Sequence, residues 1–475
     1  MNVIGNKLPG RGFSYLYLFL LVCPVIFGAA LIKIYGVNVF YFDENFIQIF
    51  SSTDSSLNFQ PLFRQHNEHR IFFPKIVYFL VAKLTNFNSV AVMYASLAVL
   101  TAAYLAIARH MKTRLTRNLA LISPILIGLF MYSPKQYENM FWGFQIGFYM
   151  TYAFSLLAIC FCSDDMTRAP RKTNLGWFAL AVFCAAIASF SSIQGLVVWC
   201  VVAVVWIMAE RGAVFKNWKF YVWCLAAFAV MKTYFYGYVK PGFNPELTFI
   251  FDDFTGFVHF FFILIGQPVM KIGRNPAALI TGIVVCVLSL LVFIDYLRCK
   301  RVRDFLSIAL IVYGIAVPLS ISLGRAGFGL DFASFSRYTT FTFSVYLGLC
   351  LYCFFRLKEY SQAAENQPAA ERQVGKTAFG LLASAIVLAL LISTPDAFKH
   401  SQTWKETRLE QRAILCNFEN EPFERLYPIV PVENWKEYHF RMQLELLRLH
   451  SRNVFAEPGC DGRAGGRPAA EASNP

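Results

Sequence analysis

The feature that most constrains this chain is a succession of apolar runs, each close to the length that crosses a bilayer. A helix needs about 20 residues to span the hydrocarbon core. Runs of that order lie at 13–35, 88–108, 118–133, 146–162, 175–191, 194–208, 219–236, 276–297, 304–322, 338–356 and 376–393. In lipid every backbone polar group must be satisfied within its own segment, so such runs fold as helices. The expected fold is therefore all-α, a polytopic transmembrane helical bundle of about eleven spans. A composition of 57% hydrophobic and 15% charged residues agrees, and excludes an ordinary soluble domain.

The formal charge of +14 invites a nucleic-acid reading. The basic side chains instead fall in short clusters between apolar runs, as orientation signals do, and no RNA or DNA module is present; nucleic acid is excluded as a partner. These clusters are Arg109/His110/Lys112/Arg114/Arg117, Arg168/Arg171/Lys172, Arg211/Lys216/Lys219, Arg298/Lys300/Arg301/Arg303 and Arg356/Lys358. If all are cytosolic, an odd number of crossings separates the loop around Asp43 from Arg109. Residues 71–84 are then expected as a helix lying in the outer interface, with Pro74 in its first turn and Lys75 and Lys83 snorkelling to one side. The same parity makes 253–268 a re-entrant or interfacial segment on the outside. The N-terminus falls in the cytosol and the C-terminus outside.

Three regions follow: a membrane domain over 1–393, a small helical cap outside the cytosol over 394–456, and a Gly/Ala/Pro-rich disordered tail over 457–475. Within the cap, 432–449 carries apolar residues at spacings of three and four. Residues 361–373 read as a cytosolic linker, and no internal repeat is visible. Of the 12 cysteines, all but Cys416 and Cys460 lie in or at the ends of apolar runs, where Cys packs as a small hydrophobe. Those two can pair if their region lies outside the cytosol.

With this topology the unusual polar residues gather on one side. Asp43 and Glu44 follow the first span; on a helix adjacent residues point about 100° apart, so one can face a cavity as a general base while the other caps or orients. Capping of a short interfacial helix is the plainer role for Asp43. His66, Glu68, His69 and Arg70 close the same loop. Two histidines and a carboxylate can hold a metal, but the spacing matches no zinc signature and Arg70 opposes a cation. A site for polar ligand groups, with Arg70 offered to a phosphate oxygen, is favoured over a buried salt bridge from Arg70 to Glu68 or Asp43.

Lys135, Glu138, Asn139, Trp142 and Gln145 mix hydrogen-bonding groups with aromatic rings. Such a mixture suits sugars and equally suits an interfacial belt. Gln194, in a tight turn on the same side, adds a donor and an acceptor. Arg325, Arg337 and Tyr338 stand at the far mouth against the positive-inside bias. The arginines therefore have an anionic partner there, either a lipid-linked phosphate or Asp331 and the carboxylates near 43.

A first outer loop opening on an acidic pair, the interfacial helix after it, the segments Lys135-Gln-Tyr-Glu-Asn139 and Ser336-Arg-Tyr338, and arginines at the far mouth together resemble the GT-C superfamily of polytopic glycosyltransferases. The likeness extends over roughly 13–356 and is nearest to bacterial enzymes that decorate O-antigen, lipopolysaccharide or other cell-envelope glycans. It implies a multi-pass protein of the bacterial inner membrane, an inverting transfer of a single sugar from a polyprenyl-phosphate donor to a glycan or lipid acceptor at the outer face, and contact with membrane lipids. By the same resemblance Asp43, or Glu44 in its place, is the base; Arg337, Arg70 and either Arg325 or Lys135 contact the donor phosphate; Glu138 stands where a second acidic motif is expected. No cofactor or metal is required in this version. A transporter or flippase for a lipid-linked saccharide is the rival reading, and a non-catalytic assembly protein the third.

Overall fold

The structure is a computed structural model, and it describes residues 11–44, 62–166, 175–246, 248–298, 304–362, 369–429, 437–457 and 460. All eleven expected apolar runs are helices: α1 (Arg11–Tyr35), α3 (Ser89–Arg114), α4 (Arg117–Met131), α5 (Ile146–Met166), α6 (Leu175–Ser189), α7 (Val197–Glu210), α8 (Trp218–Phe235), α10 (Asn275–Arg298), α11 (Phe305–Arg325), α12 (Ser336–Gln362) and α13 (Ala369–Cys416). Two shorter apolar helices, α2 (Phe72–Leu84) and α9 (Phe254–Gly266), occupy the segments set apart by the parity argument, and α14 (Glu437–Leu449) lies in the C-terminal region. The chain is an all-α polytopic bundle.

Among the described residues, 8 helices are long and apolar enough to cross a membrane: α1, α3, α5, α7, α10, α11, α12 and α13, several of them extended by flanking 3-10 turns. The remaining expected spans, α4, α6 and α8, have 15, 15 and 18 residues. At 1.5 Å per residue the shorter two rise about 22 Å, less than the hydrocarbon core, which is the geometry of helices that end at a polar recess. Burial orders the layers. The apolar windows of α5 and α12 are each 83% buried, so these two form the bundle's axis, while those of α1 and α13 are 22% buried and line its rim.

Helix ends are closed by short polar side chains at the loops. Asn88 Oδ1 accepts from the amides of Val90 (2.9 Å) and Ala91 (3.2 Å) to start α3, and Asp253 Oδ1 accepts from Gly256 (2.8 Å) to start α9. Between α9 and α10, Gly266 and Gly282 let the backbones touch: a Cβ on either would stand 1.9 Å from a carbonyl oxygen of the other helix. Through that contact α9 is wedged into the bundle beside α10, with Phe260 fully buried and Phe254 exposed. In α2, Pro74 sits in the first turn as expected, but Lys75 turns inward rather than snorkelling. Its Nζ donates to the carbonyls of Leu62 (3.3 Å) and Arg64 (2.9 Å), and burial pushes its pKa down to about 7. Lys83 stays at the surface over the Phe79 ring, 4.7 Å from its centroid.

Alternation of the helices puts the segments before and after residues 43, 66, 138, 194, 244, 270 and 331 at one end of the bundle. The opposite end holds the basic clusters, and among the described residues several of their members are paired. Lys219 meets Asp165 at 2.7 Å, Arg356 meets Asp295 at 3.1 Å, and Asp164 is shared by Arg109 and by His110 Nδ1 at 2.7 Å.

The helix α13 is continuous across residue 394, with Pro395 inside it, so the expected boundary between membrane domain and cap falls within one 48-residue rod. It also begins at Ala369, inside the stretch expected as linker. Beyond it, Leu415, Phe418, Leu426, Phe440, Leu444, Val454 and Phe455 pack on Val37, Val39, Phe40, Tyr78 and Ala82 as a second apolar core at the same end. Cys416 and Cys460 are joined in a disulfide. Asn453 locks this layer to the first loop, donating from Nδ2 to Asn38 Oδ1 (2.9 Å) and to the carbonyl of Phe87 (2.7 Å). Residues 430–436 of the expected cap and nearly all of the 457–475 tail lie outside the described residues.

Candidate active site

The adjacent acids of the first loop are sent to different surroundings. Residues Phe42–Glu44 form a single 3-10 turn in which Phe42 has φ +50°, a left-handed conformation costly for a bulky side chain, on the order of 1–3 kcal/mol. That twist turns the two carboxylates apart. Glu44 is 0% exposed; its Oε2 accepts from the Tyr41 amide (3.0 Å) and the Ser89 hydroxyl (3.3 Å), and its Oε1 lies over Gly143, where a Cβ would stand 2.5 Å away. Burial pushes the Glu44 carboxyl up to about 8, only partly offset by those hydrogen bonds and by the charge of Arg408. Burial thus favours the protonated form of Glu44 near neutral pH.

Asp43 faces the mouth, with its side chain 27% exposed. Its Oδ1 stands 3.5 Å from His66 Nε2, and its charge is felt by both Arg337 and His69. His66 and His69 are themselves joined by a pair of reciprocal backbone hydrogen bonds of 2.8 Å around a turn in which Asn67 has φ +48°. His69 Nδ1 accepts from the Ile193 amide at 3.3 Å, which leaves the ring proton on Nε2, 3.4 Å from Glu68 Oε1. Burial, with the neighbouring His66, drives His69 down to about 3, so it is a neutral imidazole.

The anion met by Arg325 is Glu68. The two carboxylate and guanidinium groups form an ion pair, and Asn244 bridges them, accepting from Arg325 at 2.9 Å and donating to Glu68 Oε2 at 3.3 Å. Asp331, the other candidate partner, hydrogen-bonds Asn275 instead (3.3 Å). Arg70 is turned away from the mouth: it donates to the carbonyls of Phe63 (3.0 Å), Tyr234 and Tyr236, and its salt bridge to Glu68 or Asp43 is not formed. Its guanidinium closes the exposed carbonyl end of α8. Lys135 behaves alike, donating to the Met270 carbonyl while burial lowers its pKa to about 8.

Glu138 caps a distant helix. Its Oε2 accepts from the Arg337 amide at 2.8 Å, placing a carboxylate on the N-terminus of α12. Asn139 Nδ2 donates to Thr340 Oγ1 (2.7 Å) and to the Arg337 carbonyl (2.8 Å), and Ser336 Oγ donates to the Lys135 carbonyl (2.8 Å). The 135–139 segment is thus stapled to the start of α12, and Arg337 projects from that staple. Arg337 has its guanidinium 4.7 Å from the Phe335 ring, in the fields of Tyr338, Glu138 and Asp43, with no ion pair to a carboxylate among the described residues. Tyr338 is buried beside it. The charge of Arg337 reaches Arg325 as well, so Asp43, His66, Glu68, His69, Glu138, Arg325, Arg337 and Tyr338 form one electrostatic group.

Trp142 donates from Nε1 to the Tyr41 carbonyl (3.2 Å) and packs on the Tyr41 ring, centroids 5.0 Å apart. Gln145 is buried, with its side-chain oxygen unpaired among the described residues. Gln194 accepts from Ser192 at 2.8 Å in a chain that continues to Thr151 (2.9 Å), so its carbonyl group is spent inside the fold.

A wall of the site that the sequence reading missed comes from α13. Asp396, His400, Trp404 and Arg408 recur every four residues, on one face. Asp396 accepts from the Ile272 amide (2.8 Å), His400 stacks on Tyr137 (5.9 Å), Trp404 donates to the Phe141 carbonyl (3.3 Å), and Arg408 lies over Tyr41, 3.3 Å from its ring centroid. The signal was the four-residue spacing of polar and aromatic side chains just past a span. Between Arg408, Trp404, Tyr41, Glu44 and Trp142 is a hollow of about 10 Å³, room for about one water.

Among the described residues no group of His66, His69 and a carboxylate has the geometry of a metal cage. Among the described residues the one His/Cys/Asp/Glu group of metal-like geometry is His110, Cys160 and Asp164, within 4.8 Å of one another at the opposite end, where Arg109 already neutralises Asp164.

No family model matches the sequence, and no curated protein does. Among solved structures the chain is similar to the oligosaccharyltransferase AglB from Archaeoglobus fulgidus in complex with an inhibitory peptide and a dolichol-phosphate, with a TM-score of 0.48 and 12% identity over 93% of this chain and 64% of that one. This chain therefore spans less than two thirds of the length of that enzyme. It is also similar to ArnT from Cupriavidus metallidurans bound to undecaprenyl phosphate, with a TM-score of 0.49 and 10% identity over 95% of this chain and 89% of that one.

Proposed function

We propose that this chain is an integral-membrane, inverting glycosyltransferase of the GT-C type, which moves a single sugar from a polyprenyl-phosphate donor to a glycan or lipid acceptor at the non-cytosolic face of a bacterial inner membrane. The observation that supports the reading is that Asp43 and Arg337, from distant parts of the chain, belong to segments at the same end of the bundle, with the Asp43 charge among those that bear on the Arg337 guanidinium. Asp43 is the accessible acid of its pair and takes the proton of the acceptor hydroxyl; Glu44, buried and protonated, is not the base. Among the described residues Arg337 forms no ion pair with a carboxylate, and in this reading its fork meets the departing phosphate at headgroup depth. His66 orients Asp43, and the Glu68–Arg325 pair, with neutral His69, fixes the loop behind it.

The sidedness rests on the same end of the molecule. A disulfide between Cys416 and Cys460 belongs to an oxidising compartment, and the paired basic clusters at the other end suit the cytosol. The test is transfer of labelled sugar from undecaprenyl-phosphate-linked donors by the purified chain. Asp43→Asn is expected to lose activity by about a hundredfold or more, the range of a general base. Wild-type activity in Asp43→Asn would remove the assignment.

A further inference from the structure

We infer that Arg408, on the part of α13 that rises past the bundle, is a positioning residue for the Asp43 turn, so that the C-terminal arm completes the active site instead of merely covering it. This rests on the role proposed for Asp43. The turn that presents Asp43 is held against its own preference, since Phe42 sits at φ +50°. A strained turn persists only where its surroundings over-determine it. Here the determinants converge on Tyr41, the residue before the strained one.

Tyr41 is gripped at its backbone and at its ring. Its amide donates to Glu44 Oε2 (3.0 Å), while its carbonyl accepts from the Glu44 amide (3.1 Å) and from Trp142 Nε1 (3.2 Å). Its ring is packed by Trp142 and by Trp404, centroids 5.0 and 5.8 Å away. Over the remaining face lies the Arg408 guanidinium, 3.3 Å from the Tyr41 centroid and 4.1 Å from that of Trp404. A desolvated guanidinium on aromatic faces is a strong, directional clamp.

Arg408 is otherwise hard to account for. It is 6% exposed, makes no ion pair among the described residues, and leaves Nε without a hydrogen-bond acceptor, while Nη1 donates to Gln411. A buried cation is costly to keep without a carboxylate. Arg412, one turn on, shows the cheaper arrangement, an ion pair with Glu457 near the surface. Among the described residues the rings of Tyr41 and Trp404 stand where an ion-paired carboxylate would, with Glu44 and Glu138 acting on Arg408 only through their fields, and the Tyr41 ring leads directly into the turn that presents Asp43.

The experiment uses the full-length chain in detergent micelles, with Arg408→Gln, Arg408→Lys, Asp43→Asn and Arg412→Gln as a surface control. Hydrogen exchange of a peptide covering Tyr41–Glu44 is read beside the global unfolding temperature, an arm that needs no substrate. Transfer of sugar from undecaprenyl-phosphate glucose is read for kcat and donor KM separately. In Arg408→Gln the Tyr41–Glu44 amides are expected to exchange faster than in Arg412→Gln at matched unfolding temperature, and kcat to fall about 10- to 100-fold with donor KM held, the penalty of a misplaced catalytic group. Arg408→Lys, which keeps a cation on the ring, is expected to recover most of both. Exchange over 41–44 unchanged in Arg408→Gln overturns the inference, as does a loss of kcat that merely tracks loss of folded protein. Full activity of Asp43→Asn with faster exchange in Arg408→Gln would instead overturn the base assignment and leave the clamp standing.

Discussion

Glu44 makes the pH dependence of stability a direct probe of the buried half of the acidic pair. Its carboxyl titrates near 4.5 in an unfolded chain and near 8 in the folded one. Between those values the folded state holds a proton that the unfolded state has released, so stability falls as pH rises. Three and a half pH units at about 1.4 kcal/mol each give a total near 5 kcal/mol, of which about 3 has been lost by pH 7. Full exclusion from solvent leaves little screening to discount. Replacement by Gln keeps an acceptor for the Tyr41 amide and the Ser89 hydroxyl and fits the same space beside Gly143, without an ionisable group. Equilibrium unfolding in micelles from about pH 5 to pH 9 is expected to show wild type losing stability relative to Glu44→Gln, with the difference levelling above pH 8; every other titrating group cancels in that difference. Parallel curves for the two proteins across the whole window would refute the argument, and would mean that Glu44 is ionised in the fold and open as a base.

Glu68→Gln strands the Arg325 guanidinium beside Asn244 and is expected to cost about 2–4 kcal/mol, toward the lower end of the range for a buried pair because both side chains keep some solvent contact. The double variant with Arg325→Gln should cost clearly less than the sum of the singles in the same unfolding assay. Arg70→Gln, which frees three backbone carbonyls, is expected to lower stability on the order of 3 kcal/mol and leave donor KM unchanged, whereas Arg337→Gln should raise donor KM with little effect on stability; kinetics and unfolding on both variants separate the two. Reduction of Cys416–Cys460, which closes a loop of 44 residues, is expected to loosen the C-terminal layer by about 4 kcal/mol, read as faster proteolysis of that layer with reductant.

The membrane architecture was legible because lipid demands long apolar helices, and those leave a one-dimensional trace. The same rule separated 71–84 and 253–268 from the spans, since charge parity at the loops is also written along the chain. What the sequence concealed is direction. The sequence favours Asp43 over Glu44 with no view of where either side chain points, and the twist at Phe42 is what sends Glu44 inward. Arg70 and Lys135 look ready for an anion, yet a carbonyl left open at a helix end or loop competes for the same donors and leaves no trace in the sequence. Arg325 finds its anion in Glu68, far away along the chain, and Glu138 serves the N-terminus of a helix it is not part of. Arg408 stayed hidden because a polar, amphipathic stretch after the last apolar run looks like a separate cap, when it is the upper part of the same rod.

The tie from Asn453 back to Asn38 and Phe87 bears on when, during synthesis, the first loop can take its final shape. Asn38 is made 415 residues before Asn453. Until both Arg408 and Asn453 have been made, the loop bearing Asp43 lacks the full set of partners that hold it from the C-terminal side, Arg408 over Tyr41 and the tie from Asn453. The first loop thus waits on a late-made segment to fix its shape.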